Sequence, residues 1–340
     1  MNMNPIFIIG TERSGSNLLR LVLNTHTNIC IPHPPHIFKY FGKIIKKYND
    51  LNNNKSFKRL IYDVCCLVNN HIYPWEFRLK PDQIFHKSKS RSLYGVFECI
   101  YNQYLDFSGK KRWGCKSTFM IEYIPEILQY SNSAKFIWLI RDPRDVAVSS
   151  KKSVFNPNHP YFTANLWKNQ QKIGLSVENE LNQNNILRVK YEDFVSNPHT
   201  ILHNITNFLN IPFEEKMLNF HKTSAAKKSG NLSLSWKNTK KPIIENNYWK
   251  FPKYLNTREI EIVEFVTKPL LKKFGYKNYL DFISIKDINL FLKIWYKIID
   301  LFLLLKIETT SLLMDKNYGL LFKRNIIVTW FKIKNFILNV

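Results

Sequence analysis

At 340 residues with 45% hydrophobic side chains, the chain can bury one large α/β domain or two ordinary ones, and it is too apolar to be a disordered polymer. Its 50 basic residues against 26 acidic ones give a formal charge of +24. That charge points to anionic partners such as nucleotides, nucleic acid, acidic glycans or a membrane surface, without choosing among them. The five cysteines lack paired metal-ligand spacing, and their odd number argues against a closed disulfide framework. A basic leader followed by an apolar segment and a cleavage site is not legible, so a cytoplasmic protein is expected.

In chain order, Pro5 to Ile9 is an apolar, Ile-rich run that reads as a buried parallel strand. Gly10 and Gly15 then bracket a loop with the spacing of a phosphate cradle, and Ser14, Ser16 and Asn17 lead into an apolar helix from Leu18. Backbone N–H groups at such a helix start converge on an anion. The Lys and Ser/Thr that hold terminal phosphates and magnesium in a nucleotide triphosphatase are here Ser16 and Asn17, while Arg13 lies inside the loop. The expectation is an anion site without a metal.

Ile29 to Ile31 reads as a short strand entering Pro32-His33-Pro34-Pro35-His36, where prolines hold two histidines in a defined turn. Residues 37–107 carry helical spacing, with turn signals from Pro74 to Ser92. Lys110 to Ser117 reads as a strand that puts Lys116 at the carboxyl edge of a sheet. Ala134 to Ile140 is a second buried strand, followed at once by Arg141-Asp142-Pro143-Arg144-Asp145 and a helix carrying Ser149. An arginine fork with a hydroxyl suits a phosphate dianion, and Arg144 is expected to serve the same purpose or to pair with Asp145 or Glu192. Tyr161 to Glu180 is predicted helical around Trp167, Asn185 to Phe194 forms a third strand and turn, and Pro198 opens a further helix. Residues 221–252 read as a basic loop with its mobile point at Lys227 to Asn231, before a capped helix from Thr257 to Gly275.

The loop Gly10 to Ser16, taken with Phe136 to Ser150, resembles the sulfotransferase family, particularly its tyrosylprotein and bacterial members. These enzymes move a sulfuryl group from 3'-phosphoadenosine-5'-phosphosulfate to a hydroxyl or amine. Many members carry Arg-Ser-Gly-Thr where this chain has Arg13-Ser14-Gly15-Ser16. The resemblance implies a three-layer α/β/α fold with a central, mostly parallel sheet, the P-loop-like sulfotransferase fold. It implies that Thr11, Glu12, Arg13, Ser14, Gly15, Ser16 and Asn17 hold the donor's 5'-phosphosulfate, and that Arg141 and Ser149 hold its 3'-phosphate. Tyr191 would lie near the adenine nucleotide and Lys116 would assist transfer. Ser235 would touch the transferring group, and Trp236, Lys237 and Lys250 would contact adenine or phosphate.

The family's general-base Glu falls, counting from Arg13, on Pro34. His33 and His36 flank that position, and a neutral imidazole can accept a hydroxyl proton, so either is a candidate base. The resemblance covers about four fifths of the chain, giving a domain over residues 1–282 and a helical, basic-apolar extension over 283–340. Charges interrupt the extension too often for a spanning helix. It suits packing on the main domain, a homodimer, or the inner face of a membrane. The implied product is 3',5'-diphosphoadenosine, and the acceptor is a hydroxyl on a glycan, lipid or small alcohol, with no nucleic acid expected. A P-loop kinase or hydrolase, and a non-catalytic basic protein binding nucleic acid or membrane, stay open as other readings.

Overall fold

The computed structural model describes residues 4–154, 157–181, 184–314 and 318–337. Five strands, β1 (Ile6–Gly10), β2 (Ile29–Cys30), β3 (Arg112–Lys116), β4 (Lys135–Ile140) and β5 (Ile186–Lys190), form one sheet in the order β2-β3-β1-β4-β5. The sheet is wholly parallel and flanked by helices, the three-layer α/β/α arrangement. Every residue of β1 is buried, as are the last five of β4. Strands covered on both faces need apolar side chains in both directions, so these segments show continuous runs instead of alternation. β1 pairs with β3 in the register Ile6 with Gly114, Phe7 with Cys115 and Ile8 with Lys116. Strand order reverses at β1, the place where open α/β sheets leave room for ligands beyond their carboxyl ends.

The chain divides into two compact units. The first takes Met1–Ile9, Arg20–Phe136 and Lys316–Val340, and its core is aromatic. Phe7 stacks on Phe97 and Phe136 at centroid distances of 6.2 and 5.3 Å and meets Trp113 edge-on at 5.7 Å. The last helix, Tyr318–Ile337, packs onto this unit. Phe331 lies 5.6 Å from Phe41, and Lys334 Nζ donates to Asp63 Oδ1 at 2.9 Å while Tyr48 donates to Oδ2 at 2.8 Å.

The second unit takes Gly10–Leu19 and Ile137–Asp315. Its core joins Ala147, Ala164, Phe251, Val263 and Ile285 to Tyr296 of the helix Leu290–Met314. Asp300 of that helix accepts from the N–H groups of Asn158 and His159 at 2.7 and 2.9 Å, at the start of the helix Pro160–Glu180. Tyr296 stacks on His159 at 4.3 Å. The two helices of the extension are therefore each anchored on a folded unit.

One segment differs from expectation. Lys227 to Asn231, predicted as the mobile point of a basic loop, belongs to the helix Ser224–Leu232. Thr223 caps it by accepting from Ala226 N–H, and Thr239 Oγ1 bonds Ala226 O at 3.0 Å. Local caps and cross-bonds order a segment whose composition alone reads as solvated.

Candidate active site

The anion-binding elements all belong to the second unit. At the end of β1, Gly10 has φ 138, and a Cβ there would lie 2.2 Å from Leu139 O. Only glycine allows so close a backbone approach. Gly15 has φ 88, and a Cβ there would come within 2.4 Å of Tyr191 Cδ2, so the Tyr191 ring closes against the loop. Between them Arg13 adopts φ 71, a conformation that few non-glycine residues accept. The helix Ser16–Asn24 follows, and its first N–H groups have no acceptor within the helix.

That backbone turns Arg13 toward the second loop. Its Nε donates to Ser149 Oγ at 3.0 Å, and its carbonyl accepts from Arg141 NH1 at 3.1 Å. Arg141 lies 4.4 Å above the Tyr191 ring, and its NH2 reaches Asp145 Oδ2 at 3.5 Å and Asn247 O at 3.4 Å. Asn247 Nδ2 donates to Tyr191 OH at 2.7 Å, and Lys250 Nζ bonds Asn247 Oδ1. The Arg141 carbonyl is held by Trp167 Nε1 at 2.9 Å. Thr11 Oγ1 accepts from Gln171, which in turn accepts from Trp138 Nε1. Arg13, Arg141, Ser149 and Tyr191 thus meet through direct contacts, with Lys250 joined to them through Asn247, although the sequence scatters them.

The electrostatics suit an anion. Burial lowers the Arg13 pKa from the usual arginine value; the Glu12 carboxylate opposes that shift, and the Arg141 charge adds to it. Burial, then the Arg141 charge, also lower the Lys250 pKa, against the pull of Asp145. Like charges gathered in a low-dielectric place are costly unless an anion joins them. Ser14 Oγ and Arg141 Nε are buried without a hydrogen-bond partner. These unspent donors, beside a helix start, fit a phosphate-class ligand. Among the described residues, no group of three or more His, Cys, Asp or Glu could hold a metal.

The candidate bases belong to the first unit. His36 has φ 55 and precedes the helix Ile37–Phe41; its Nδ1 lies 3.0 Å from Ser117 Oγ, one residue beyond β3. His33 stacks flat on Tyr73 at 5.0 Å, and its carbonyl accepts from Trp75 Nε1 at 2.9 Å. The structure adds a third imidazole that sequence reasoning missed: His71, 5.3 Å from His33 and 6.4 Å from His36 by ring centroids. The break between the helix Asn54–Asn69 and Pro74 was the available signal, since a histidine in such a break is set by the fold and not by helical spacing.

All three rings are held neutral. Burial comes first, and for His33 the charges of His71, Arg20 and Lys116 follow. For His36 burial is followed by Lys116 and Lys39. His71 is pushed down to about 3 by burial and Arg324. Lys116, the last residue of β3, therefore acts electrostatically on the whole cluster.

Other predicted residues fall elsewhere. Arg144 does not pair with Asp145 or Glu192. Its guanidinium bonds Asp142 at 2.7 Å and Glu264 at 2.5 Å, fully buried, which makes it a structural clamp. Glu192 instead accepts from Asp142 N–H at 2.9 Å and Tyr276 OH at 3.0 Å, fixing the turn after β4. Trp236 and Lys237 lie on the 3-10 turn Leu234–Lys240, which packs on the helix Ser224–Leu232, and Lys237 is exposed. The side chain of Ser235 lies outside the described residues.

With this geometry in view, comparison with known proteins gives consistent matches. The sulfotransferase family profile matches residues 5–215. Protein-tyrosine sulfotransferase A of Caenorhabditis elegans is 24% identical over 285 residues, covering 80% of this chain and 67% of that protein. An uncharacterized protein of Aquifex aeolicus (strain VF5) is 25% identical over 273 residues; the match covers 76% of this chain and only 32% of that relative's length. The sulfotransferase domain from the Synechococcus PCC 7002 olefin synthase shares the fold with a TM-score of 0.55 at 22% identity, over 81% of this chain and 96% of that one.

Proposed function

Because the chain belongs to the sulfotransferase family, we propose that it moves a sulfuryl group from 3'-phosphoadenosine-5'-phosphosulfate to a hydroxyl or amine of its acceptor. The observation that carries this reading is the meeting of the two anion loops. Arg13, 136 residues before Ser149, bonds its hydroxyl at 3.0 Å, and Arg141 bonds the Arg13 carbonyl. One ligand with anionic groups at both ends fits such a pairing better than two separate phosphates would.

In this reading Arg13, Ser14 and the start of the helix Ser16–Asn24 bind the sulfated end, and Arg141 with Ser149 binds the 3'-phosphate. Tyr191 and Lys250 line the same place. When bound, the donor supplies the sulfuryl group and a nucleotide bisphosphate leaving group. His33 or His36 takes the acceptor proton: both are neutral at physiological pH, and a neutral imidazole is the form that can act as a base. If Ser117 accepts from His36 Nδ1–H, the lone pair sits on Nε2. Lys116 balances charge as it builds on the leaving oxygen. Positioning of this kind can supply most of the rate gain in group transfer.

The test is calorimetric titration of 3',5'-diphosphoadenosine into the wild type and Arg141→Ala, with and without a chelator. Loss of a bidentate phosphate contact should weaken binding by about 10- to 100-fold, with no effect of the chelator. Equal weak binding by both proteins sinks the reading, and a requirement for magnesium with a triphosphate favours the kinase alternative. A sulfate-transfer screen over glycans, lipids and tyrosine peptides then identifies the acceptor.

A further inference from the structure

The helix Leu290–Met314 buries one side on the second unit and leaves the other apolar and uncovered. Phe291, Trp295 and Phe302 are 83%, 58% and 69% exposed, and Ile294, Leu301 and Leu305 are exposed beside them. At 3.6 residues per turn these positions fall within about 120° to 140° of the circumference, a single stripe. Glu308 and Thr309 interrupt it for one turn near the end. Lys297 and Lys306, both exposed, fall just outside its two edges. The final helix, Tyr318–Ile337, shows the same design on the first unit: Phe322, Ile326, Trp330 and Ile333 are exposed along one side, with Lys323 at the margin. A soluble surface rarely leaves so many large apolar groups in a row without a partner.

We propose that the Leu290–Met314 stripe docks on the surface of an anionic lipid bilayer, its aromatic and aliphatic side chains entering the headgroup boundary and its lysines meeting lipid phosphates. Charge decides the occupant. Residues 285–340 hold nine Lys or Arg against four Asp or Glu, within a chain of formal charge +24. Two copies packed stripe to stripe would bring like-charged margins together, whereas an anionic membrane neutralises them. Lysine stems can lie along the apolar stripe while their ammonium groups reach the headgroups, and Trp and Phe suit the interface. No helix among the described residues is long and apolar enough to cross a membrane, so the contact is peripheral. The inference stands apart from the transfer reading, since it is read without donor or acceptor.

The experiment is co-sedimentation of the full chain with phosphatidylcholine vesicles and with phosphatidylcholine–phosphatidylglycerol vesicles, at low and high salt. Binding to the anionic vesicles that weakens with salt is expected. The triple variant Phe291→Ser, Trp295→Ser, Phe302→Ser should lose about tenfold or more in partitioning while its circular dichroism is unchanged, because the three side chains are already in solvent. Lys297→Gln with Lys306→Gln, the two lysines at the edges of the stripe, should lose the preference for anionic lipid and keep the fold. A wild-type chain that stays in the supernatant with both vesicles at low salt overturns the proposal. So does a concentration-dependent dimer, seen by sedimentation velocity, that binds no vesicles and is abolished by the triple variant.

Discussion

Arg13 is held in a left-handed backbone conformation by glycines on either side of the loop, and that conformation aims its guanidinium at Ser149. The positioning is built into the backbone before any ligand arrives, so little ordering is left for binding to supply. The histidines are positioned differently. His33 is clamped by stacking on Tyr73, and His36 by Ser117 and an unusual φ of its own. Their roles separate in kinetics: replacing the true base by asparagine should lower kcat by about 100- to 10,000-fold with nucleotide affinity unchanged. His33→Asn and His36→Asn, each assayed for transfer and for 3',5'-diphosphoadenosine binding, distinguish base from bystander; two near-wild-type turnover numbers would remove both residues from the role of base.

At the level of the element, the strand-to-helix turns carry the anion site and the caps and clamps hold them still. The turn after β4 is fixed by Arg144, which ties Asp142 to Glu264 of the helix Thr257–Leu271, itself started by an Asn256–Glu259 capping box. Glu264 also accepts from Tyr279 N–H at 2.7 Å. Arg144→Met leaves these carboxylates buried and uncompensated, with an expected loss of about 3–5 kcal/mol in urea unfolding. Adding Glu264→Gln should return part of that loss, and a double variant no better than the single one would discount the ion pair. Both strand-to-helix turns were legible because their information is local: a strand, a spacing and a helix start lie within some fifteen residues. Of the partners of Arg144, Asp142 stands two residues before it in the same motif, whereas Glu264 was not legible, because it lies 120 residues away and no nearby residue announces it. His71 escaped for the same reason. The helix Ser224–Leu232 escaped because its order comes from cross-bonds to Thr239 and Lys240 and not from an apolar face.

On the scale of the whole molecule, several imidazoles are folded in their neutral form, and acid stability should show it. His71 has its pKa lowered to about 3 and His159 to about 4, and those of His33 and His36 lie well below the ordinary value. Above pH 6.5 folded and unfolded chains are both neutral at these positions, so nothing is lost. As the pH falls below that value the unfolded chain takes up protons that the folded one refuses. Each such group then costs about 1.4 kcal/mol per pH unit, for His71 down to about pH 3. Urea midpoints should therefore drop between pH 7 and pH 5, and His71→Leu should flatten the slope; equal midpoints at the two pH values would contradict this.

The first unit includes the last helix, and its closing contacts join Asp63 to Lys334 across 271 residues of chain. During synthesis the early strands and helices of that unit must wait, with Phe41 and Asp63 uncovered, until the helix Tyr318–Ile337 has left the ribosome. Shortening the tail would thus strip a seal from the oldest part of the molecule, and a nascent chain paused before Tyr318 should be the form most in need of a chaperone.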